Sequence, residues 1–330
     1  MNWFEKLTGF AEESPQQVRD NITIEGNVLK SHVNGKEMIC GRLETPSLAE
    51  LRESVQSSAY KVGKISVSEL VANVQDLHLN KSNANSLFQV ASQFNLLEMR
   101  SPSVTPEIGV GIYEKDFTQG PVCAIAAGAG TIYRNYFVKV NKQIGQSAIN
   151  QIDCLADIGV ALGNEGNRLW KMRNGYVLPS RNGLVEISRQ LRELTHSEVD
   201  KLRQLLRIGI QWNTQVTLND CQHIVSQAYC SALPVAYSNY PCDLWAEFAR
   251  LVLEASYEAT ICTAILNLLN NGNNRVFLTL VGGGAFGNQH EWIIDAIQRA
   301  LNLYRNVDLD VIIVSYGSSK QYIQQLIKQY

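Results

Sequence analysis

The stretch Val276-Phe277-Leu278-Thr279-Leu280-Val281, followed by Gly282-Gly283-Gly284-Ala285-Phe286-Gly287-Asn288 and then by Trp292-Ile293-Ile294-Asp295-Ala296-Ile297-Gln298-Arg299-Ala300-Leu301, decides the fold class. A nearly continuous apolar run bounded by glycines reads as a strand buried on both faces. The run from Trp292 reads as a helix, and Leu309 to Ser315 as a second strand. Strand, glycine loop, helix and strand make a βαβ unit, with a right-handed crossover expected. The glycines then sit at the carboxyl end of a strand and the start of a helix, where phosphates bind. Glycine lets several backbone N–H groups approach an anion without side chains in the way, and the helix adds its positive dipole end. A turn that merely lets the helix pack closely on the sheet is the other reading of these glycines. The loop is neither G-x-x-x-x-G-K-[ST] nor G-x-G-x-x-G, which argues against a nucleotide triphosphatase and an ordinary dehydrogenase.

Outward from this unit, Leu87 to Ala91 and Val122 to Ala127 are short apolar runs that read as further buried strands of an α/β sheet. Gly128-Ala129-Gly130-Thr131 after the second run reads as another strand-end loop facing the same crevice, with Gly128 and Gly130 against a diphosphate. Tyr133, Tyr136 and Phe137 stack on a base or ribose, or belong to the core; Arg134 pairs a phosphate or a carboxylate. The first strand runs into Asn95 and a long polar loop bearing Glu98, Glu107, Glu114 and Asp116. Such a loop can supply a general base or a ligand for ribose hydroxyls, the alternative being ordinary solvated acids. Asp220 and residues 227 to 237 are a further candidate wall.

Elsewhere the pattern predicts a hairpin over Ile22 to Cys40 and a helix over Ser47 to Val55 with Ser47 and Glu50 as a capping box. It also predicts a helix near Ile149 to Leu162, a helix over Val185 to Leu206 restarted at Thr195, a strand over Ile208 to Leu218, and a long helix over Leu244 to Leu269 stopped at Asn271-Gly272. The organisation expected is an N-terminal extension (1–60) and a catalytic domain (61–330) with a helical insertion around 141–207.

Composition narrows the function. In 330 residues, 29 Lys+Arg against 31 Asp+Glu leave a charge of −2, so no positive field exists to hold a nucleic-acid backbone. Hydrophobic residues make up 45%, enough for one large core or two modest ones. The first residues lack the order of a secretory signal, and no uninterrupted apolar run reaches the roughly 18 to 20 residues of a membrane span, so a soluble protein made in the cytoplasm is expected. The seven cysteines form no C-x-x-C pair and read as buried free thiols. The five histidines show no paired metal-ligand spacing, so no metal is expected.

Gly283-Gly284-Ala285-Phe286-Gly287, between a buried strand and a helix, resembles the phosphate loop of macrodomains, above all the poly(ADP-ribose)-glycohydrolase-like ones with their G-x-G-A-F-G run. The strand Phe88 to Ala91 leading to Asn95 is similar to the macrodomain strand that ends in an Asn contacting the distal ribose. The resemblance covers residues 64 to 330 loosely, and 87 to 137 and 275 to 316 more specifically. It extends to the divergent macrodomain effectors of Legionella-type pathogens, which include ADP-ribosylarginine hydrolases.

The resemblance implies an α/β fold with a macrodomain-like mixed sheet flanked by helices, and a small N-terminal hairpin and helix extension. It implies ADP-ribose as ligand or product, held by Asn95, Gly128, Gly130, Tyr133 and the run Gly282, Gly283, Gly284, Ala285, Phe286, Gly287 and Asn288, with no cofactor. The implied activity is metal-independent hydrolysis of the N-glycosidic bond to a modified side chain, most specifically arginine. The implied partner is an ADP-ribosylated protein, including a host protein reached by delivery as an effector. The chain departs from the family in lacking both an adjacent Glu-Glu pair and a Gly-Gly-Gly-Val loop. By position the catalytic carboxylates expected are Asp116 and Glu107, then Glu98, with Asp220 from another wall. A non-catalytic ADP-ribose reader and a hydrolase of another NAD-derived nucleotide are the alternatives.

Overall fold

The computed structural model describes residues 1–60 and 62–330. The chain opens with helices α1 (Trp3–Thr8) and α2 (Pro15–Asn21) and an antiparallel meander, β1 (Ile22–Glu25), β2 (Val28–Ser31) and β3 (Glu37–Ile39). This extends the expected hairpin by one strand. Strand β4 (Arg42–Glu44) leads to helix α3 (Leu48–Gln56), which starts with the expected capping box: Ser47 Oγ accepts from Glu50 N, and the Glu50 carboxylate accepts from Ser47 N.

Then come β5 (Ser66–Val71), α4 (Val74–Leu79), β6 (Leu87–Ala91), α5 (Gln119–Ala126) and α6 (Gly128–Tyr136). Two small hairpins, β7 (Lys139–Val140) with β8 (Gln143–Ile144) and β9 (Trp170–Arg173) with β10 (Tyr176–Pro179), flank α7 (Ala156–Leu162). Helices α8 (Arg181–Glu193) and α9 (His196–Gln204) follow, broken at Thr195 by the expected second capping box. The chain ends with β11 (Gly209–Gln215), β12 (Ile224–Cys230), α10 (Ala246–Asn271), β13 (Arg275–Leu278), α11 (His290–Leu303), β14 (Asp310–Ser315) and α12 (Gln321–Ile327).

Seven strands form one mixed sheet in the order β4-β11-β12-β6-β13-β14-β5. Strands β12, β6, β13, β14 and β5 run parallel, and β11 is antiparallel to both neighbours. Because β4 is its edge strand, the main sheet takes in residues 42–44 of the N-terminal segment. The βαβ unit β13–α11–β14 is present as predicted, with β13 and β14 paired in parallel from Arg275↔Asp310 to Leu278↔Ile313.

One face of the sheet carries α10, whose buried residues occupy all sides of the helix, including Phe248, Leu251, Val252, Ala255, Ala259 and Ile265. It is long and apolar enough to meet the length and composition test for a membrane span, yet 83% of its most apolar window is buried inside the protein. It is the core helix of this fold. Helices α3, α8, α9 and α11 pack on it. A second apolar cluster joins α1 and the meander to the other helices, bringing Trp3, Phe4 and Leu29 against Leu97, Ala124, Ala129 and Ile132.

Two sequence expectations are corrected. Residues 122 to 126 lie in helix α5, with Ala127 as its cap, instead of forming a strand. A short apolar run cannot distinguish a buried strand from a buried helix by periodicity, and three alanines in it favour the helix. Gly128 and Gly130 therefore lie in the first turn of α6 and form no diphosphate loop. A Cβ at Gly128 would come within 2.8 Å of Trp3 and Leu7, and one at Gly130 within 2.8 Å of Thr214 Oγ1. Their smallness lets α6 sit directly on α1 and β11. The helix expected near Ile149 begins only at Ala156.

An ionic cluster ties the helical layer together. Arg52 on α3 bonds Asp200 on α9 (2.6 Å) and Glu258 on α10 (2.5 Å), and Arg299 on α11 reaches Glu258 (2.6 Å) and Asp200 (3.3 Å). Glu258 is almost wholly buried, so losing a partner strands a charge away from water. Arg52→Ala is expected to destabilise the protein by about 3 kcal/mol in urea unfolding. The hydrogen bond from Arg52 holds the Asp200 carboxyl down to about 2, so its contribution is complete above the ordinary aspartate range and is lost as pH falls toward 2. The wild type should therefore lose stability between about pH 4 and pH 2, and Arg52→Ala should lose less over that interval.

Candidate functional site

The ladder between β6 and β13 holds only Val276↔Leu87 and Phe277↔Phe88, with the two Phe rings stacked at 4.5 Å. Beyond them the strands part, and side chains take up the freed backbone groups. Gln119 at the start of α5 accepts from Ala91 N (2.9 Å) and donates to Gln89 O (2.8 Å), as a neighbouring strand would. The Gln89 side chain accepts from Thr279 N (3.2 Å) and donates to Thr260 Oγ1 (2.9 Å). The parted strand ends open a cleft of about 1260 Å³.

The glycine loop after β13 forms one wall. Asn288 N donates to Gly282 O (2.9 Å), while Asn288 Nδ2 donates to Leu233 O (2.8 Å) and ties the loop to the segment after β12. Gly282 has φ +76, and a Cβ there would collide with Ala232; Gly287 has φ +69 and Ala236 beside it. These two glycines are required by backbone shape. Gly284 differs: a Cβ there meets nothing within 4 Å, and with Gly283 it lines the cleft. The N–H groups of Gly284, Ala285 and Phe286 have no acceptor among the described residues. Phe286 packs on Tyr176 and Tyr237 at 5.5 and 5.6 Å between centroids, so it braces the loop.

The opposite wall is the turn into α5. Asp116 lines the cleft half-buried, its Oδ1 accepting from Thr118 N (2.9 Å) and Thr118 Oγ1 (2.7 Å), and exposed Glu114 lies beside it. Glu98 is buried behind this wall, where a Cβ at Gly120 would collide with its carboxylate. Burial pushes the Glu98 carboxyl well above the usual range; the Arg134 cation opposes the shift and the Asp116 charge adds to it. Among the described residues, neither Glu98 Oε1 nor Arg134 Nη1 has a hydrogen-bond partner.

Of the remaining expected residues, Asn95, Glu107 and Tyr133 lie outside the cleft. Asn95 is fully buried, donating to Gln151 Oε1 (2.8 Å) and accepting from Leu97 N (3.1 Å), so it shapes the loop after β6. Glu107 accepts from Ala148 N (2.8 Å) outside the cleft. Tyr133 packs against the second apolar cluster. Arg134 lies under Leu96 O and Thr131 Oγ1, its guanidinium 3.7 Å from the Tyr229 ring centroid, and meets no open space. Asp220 does line the cleft, at its far end, in an ion pair with Lys36 (2.9 Å). Among the described residues, no three His, Cys, Asp or Glu side chains converge.

Sequence reading missed several walls. Asn73 after β5, and Ser315 and Tyr316 at and just past the end of β14, line the cleft, as residues at the ends of parallel strands do, and that position is a usable signal. Trp3, Lys6, Leu7 and Lys36 from the N-terminal arm also line it, with no local signal in the sequence.

No protein-family model and no curated protein matches the chain. Among solved structures it is similar to the poly(ADP-ribose) glycohydrolase of Deinococcus radiodurans in complex with ADP-ribose, at 9% identity and TM-score 0.47, over 87% of this chain and 92% of that one. It is also similar to the Thermomonospora curvata poly(ADP-ribose) glycohydrolase bound to the inhibitor ADP-HPD, at 9% identity and TM-score 0.45, over 96% of each chain.

The glycines can be separated by experiment. Gly282→Ala should cost about 1–3 kcal/mol of stability through its left-handed backbone and the clash with Ala232, whereas Gly284→Ala should stay within about 0.5 kcal/mol. Equal losses in denaturant unfolding would refute the loop geometry.

Proposed function

We propose that this protein is an ADP-ribosyl hydrolase that removes ADP-ribose from modified protein side chains, arginine above all. The observation that carries the reading is the open backbone of Gly284, which lines with Gly283 the same cleft as Asp116, after a strand's carboxyl end. The free N–H groups of Gly284 and its two successors suit a diphosphate, with the start of α11 behind them.

With the diphosphate held, the anomeric carbon lies toward the α5 turn. The Asp116 carboxylate takes a proton from water, and the water oxygen bonds to the anomeric carbon. The bond from the anomeric carbon to the protonated guanidinium nitrogen breaks, its electron pair leaves with the neutral guanidine, and the proton on Asp116 passes to that guanidine. The sugar passes through a transition state with oxocarbenium character, which the neighbouring phosphates and carboxylate stabilise. Burial raises the Glu98 carboxyl well above the usual range, which disfavours a further charge behind Asp116. Glu114 and Asp116 together suit a cationic acceptor, which favours arginine over serine or glutamate. The chemistry proposed needs carboxylate and water only, so release should persist in a chelator.

The test is ADP-ribose release from acceptors modified on arginine, serine or glutamate, alongside calorimetric binding of free ADP-ribose. Asp116→Asn should lower kcat by about 10²- to 10⁴-fold with the ADP-ribose Kd near that of wild type. Gly284→Glu should fold normally and lose binding. A wild type that binds without turnover is a reader, and one that binds no ADP-ribose overturns the proposal.

A further inference from the structure

The cleft is longer than the proposed nucleotide site. Helix α5 crosses the sheet from the carboxyl edge, where Gln119 bonds β6, to the opposite edge, where Thr217 N donates to Ala126 O (2.9 Å). Gln119, Val122 and Ile125 line the cleft at i, i+3 and i+6, one stripe of the helix, over about 9 Å of rise. The volume of about 1260 Å³ exceeds the roughly 300–1,000 Å³ of a small-molecule site, so a part stays open beyond Gly284 and Asp116. Its walls are Trp3, Leu7 and Leu218, and its rim carries Lys6, Lys36 and Asp220. Lys36 is neutralised by Asp220, while exposed Lys6 has no ion pair among the described residues, which leaves this end positive.

We propose that the groove along α5 seats an extended segment of the modified protein, with Lys6 at the far end taking an acidic side chain about three residues from the modified one. The inference rests on the ADP-ribose reading above. An extended chain advances about 3.3 Å per residue, so the stripe spans three residues, and its apolar floor suits side chains and backbone better than a second phosphate. The groove is continuous with the cleft that would hold the sugar, so a chain leaving the anomeric carbon has a path into it.

The experiment uses the full chain and peptides bearing ADP-ribosylarginine, with Glu, Gln or Lys three residues to either side. Wild type should favour Glu over Lys by about two- to fivefold in kcat/KM, the effect residing in KM. Lys6→Glu should reverse that order. Asp220→Asn, which keeps a residue suited to φ +54, should enlarge the preference by freeing Lys36. Neither variant should change the Kd of free ADP-ribose. If wild type binds without turnover, the same comparison applies to peptide Kd. Indifference of the wild type to the distant side chain, or weaker binding of free ADP-ribose by Lys6→Glu, overturns the proposal. A wild type that binds no ADP-ribose removes the reading beneath it, an outcome distinct from both.

Discussion

Strands β6 and β13 can pair for only two residues, and the cleft follows from that constraint. Parallel neighbours that stayed together to their ends would satisfy each other's backbone and leave no space. Here Gln119 supplies the missing partner to Gln89 and Ala91, which fixes the first turn of α5 against the strand end. Gly120 must then pass over Ala91 O and the Glu98 carboxylate, where any larger residue would collide. The Asp116–Thr118 turn falls just before it, so one carboxylate is presented to the opening and the other is sealed beneath. Backbone satisfaction at a strand end thus places two acidic side chains in opposite environments.

The N-terminal arm is held against the same region by polar anchors. Glu12 accepts from Val110 N (2.8 Å), Gly111 N (2.6 Å) and the Tyr136 hydroxyl (2.6 Å), and Trp3 Nε1 donates to Val110 O (3.1 Å). These bonds, with the apolar cluster beneath α1, make the arm a wall of the cleft. Lys6 and Lys36 owe their place on the rim to that attachment.

What the sequence reveals is what is locally consistent. The β13–α11–β14 unit, the capping boxes at Ser47 and Thr195, and the stop of α10 at Gly272 each depend on residues within one turn or loop, and each is found as read. The reading fails where distant segments decide. Val122 to Ala127 is compatible with either a strand or a helix, and β13 and β12 already flank β6 in the sheet, leaving no edge for another strand there. Asn95 and Glu107 lie in polar loops, but contacts to Gln151 and Ala148 draw them away from the opening. The arm's contribution depends on packing between residues more than a hundred positions apart, such as Trp3 and Val110, for which no local pattern exists.

The two carboxylates near the α5 turn show why burial matters as much as identity. In water, Glu98 and Asp116 would be nearly equivalent acids. Sealing Glu98 under Gly120 removes the hydration that its charged form needs, while Arg134, engaged with Leu96 O and Thr131, offers it no direct ion pair. A charge on Asp116 makes a charge on Glu98 still more costly. On the opposite wall the glycine loop offers backbone N–H groups from residues whose side chains are absent, small or, in Phe286, turned away into an aromatic cluster.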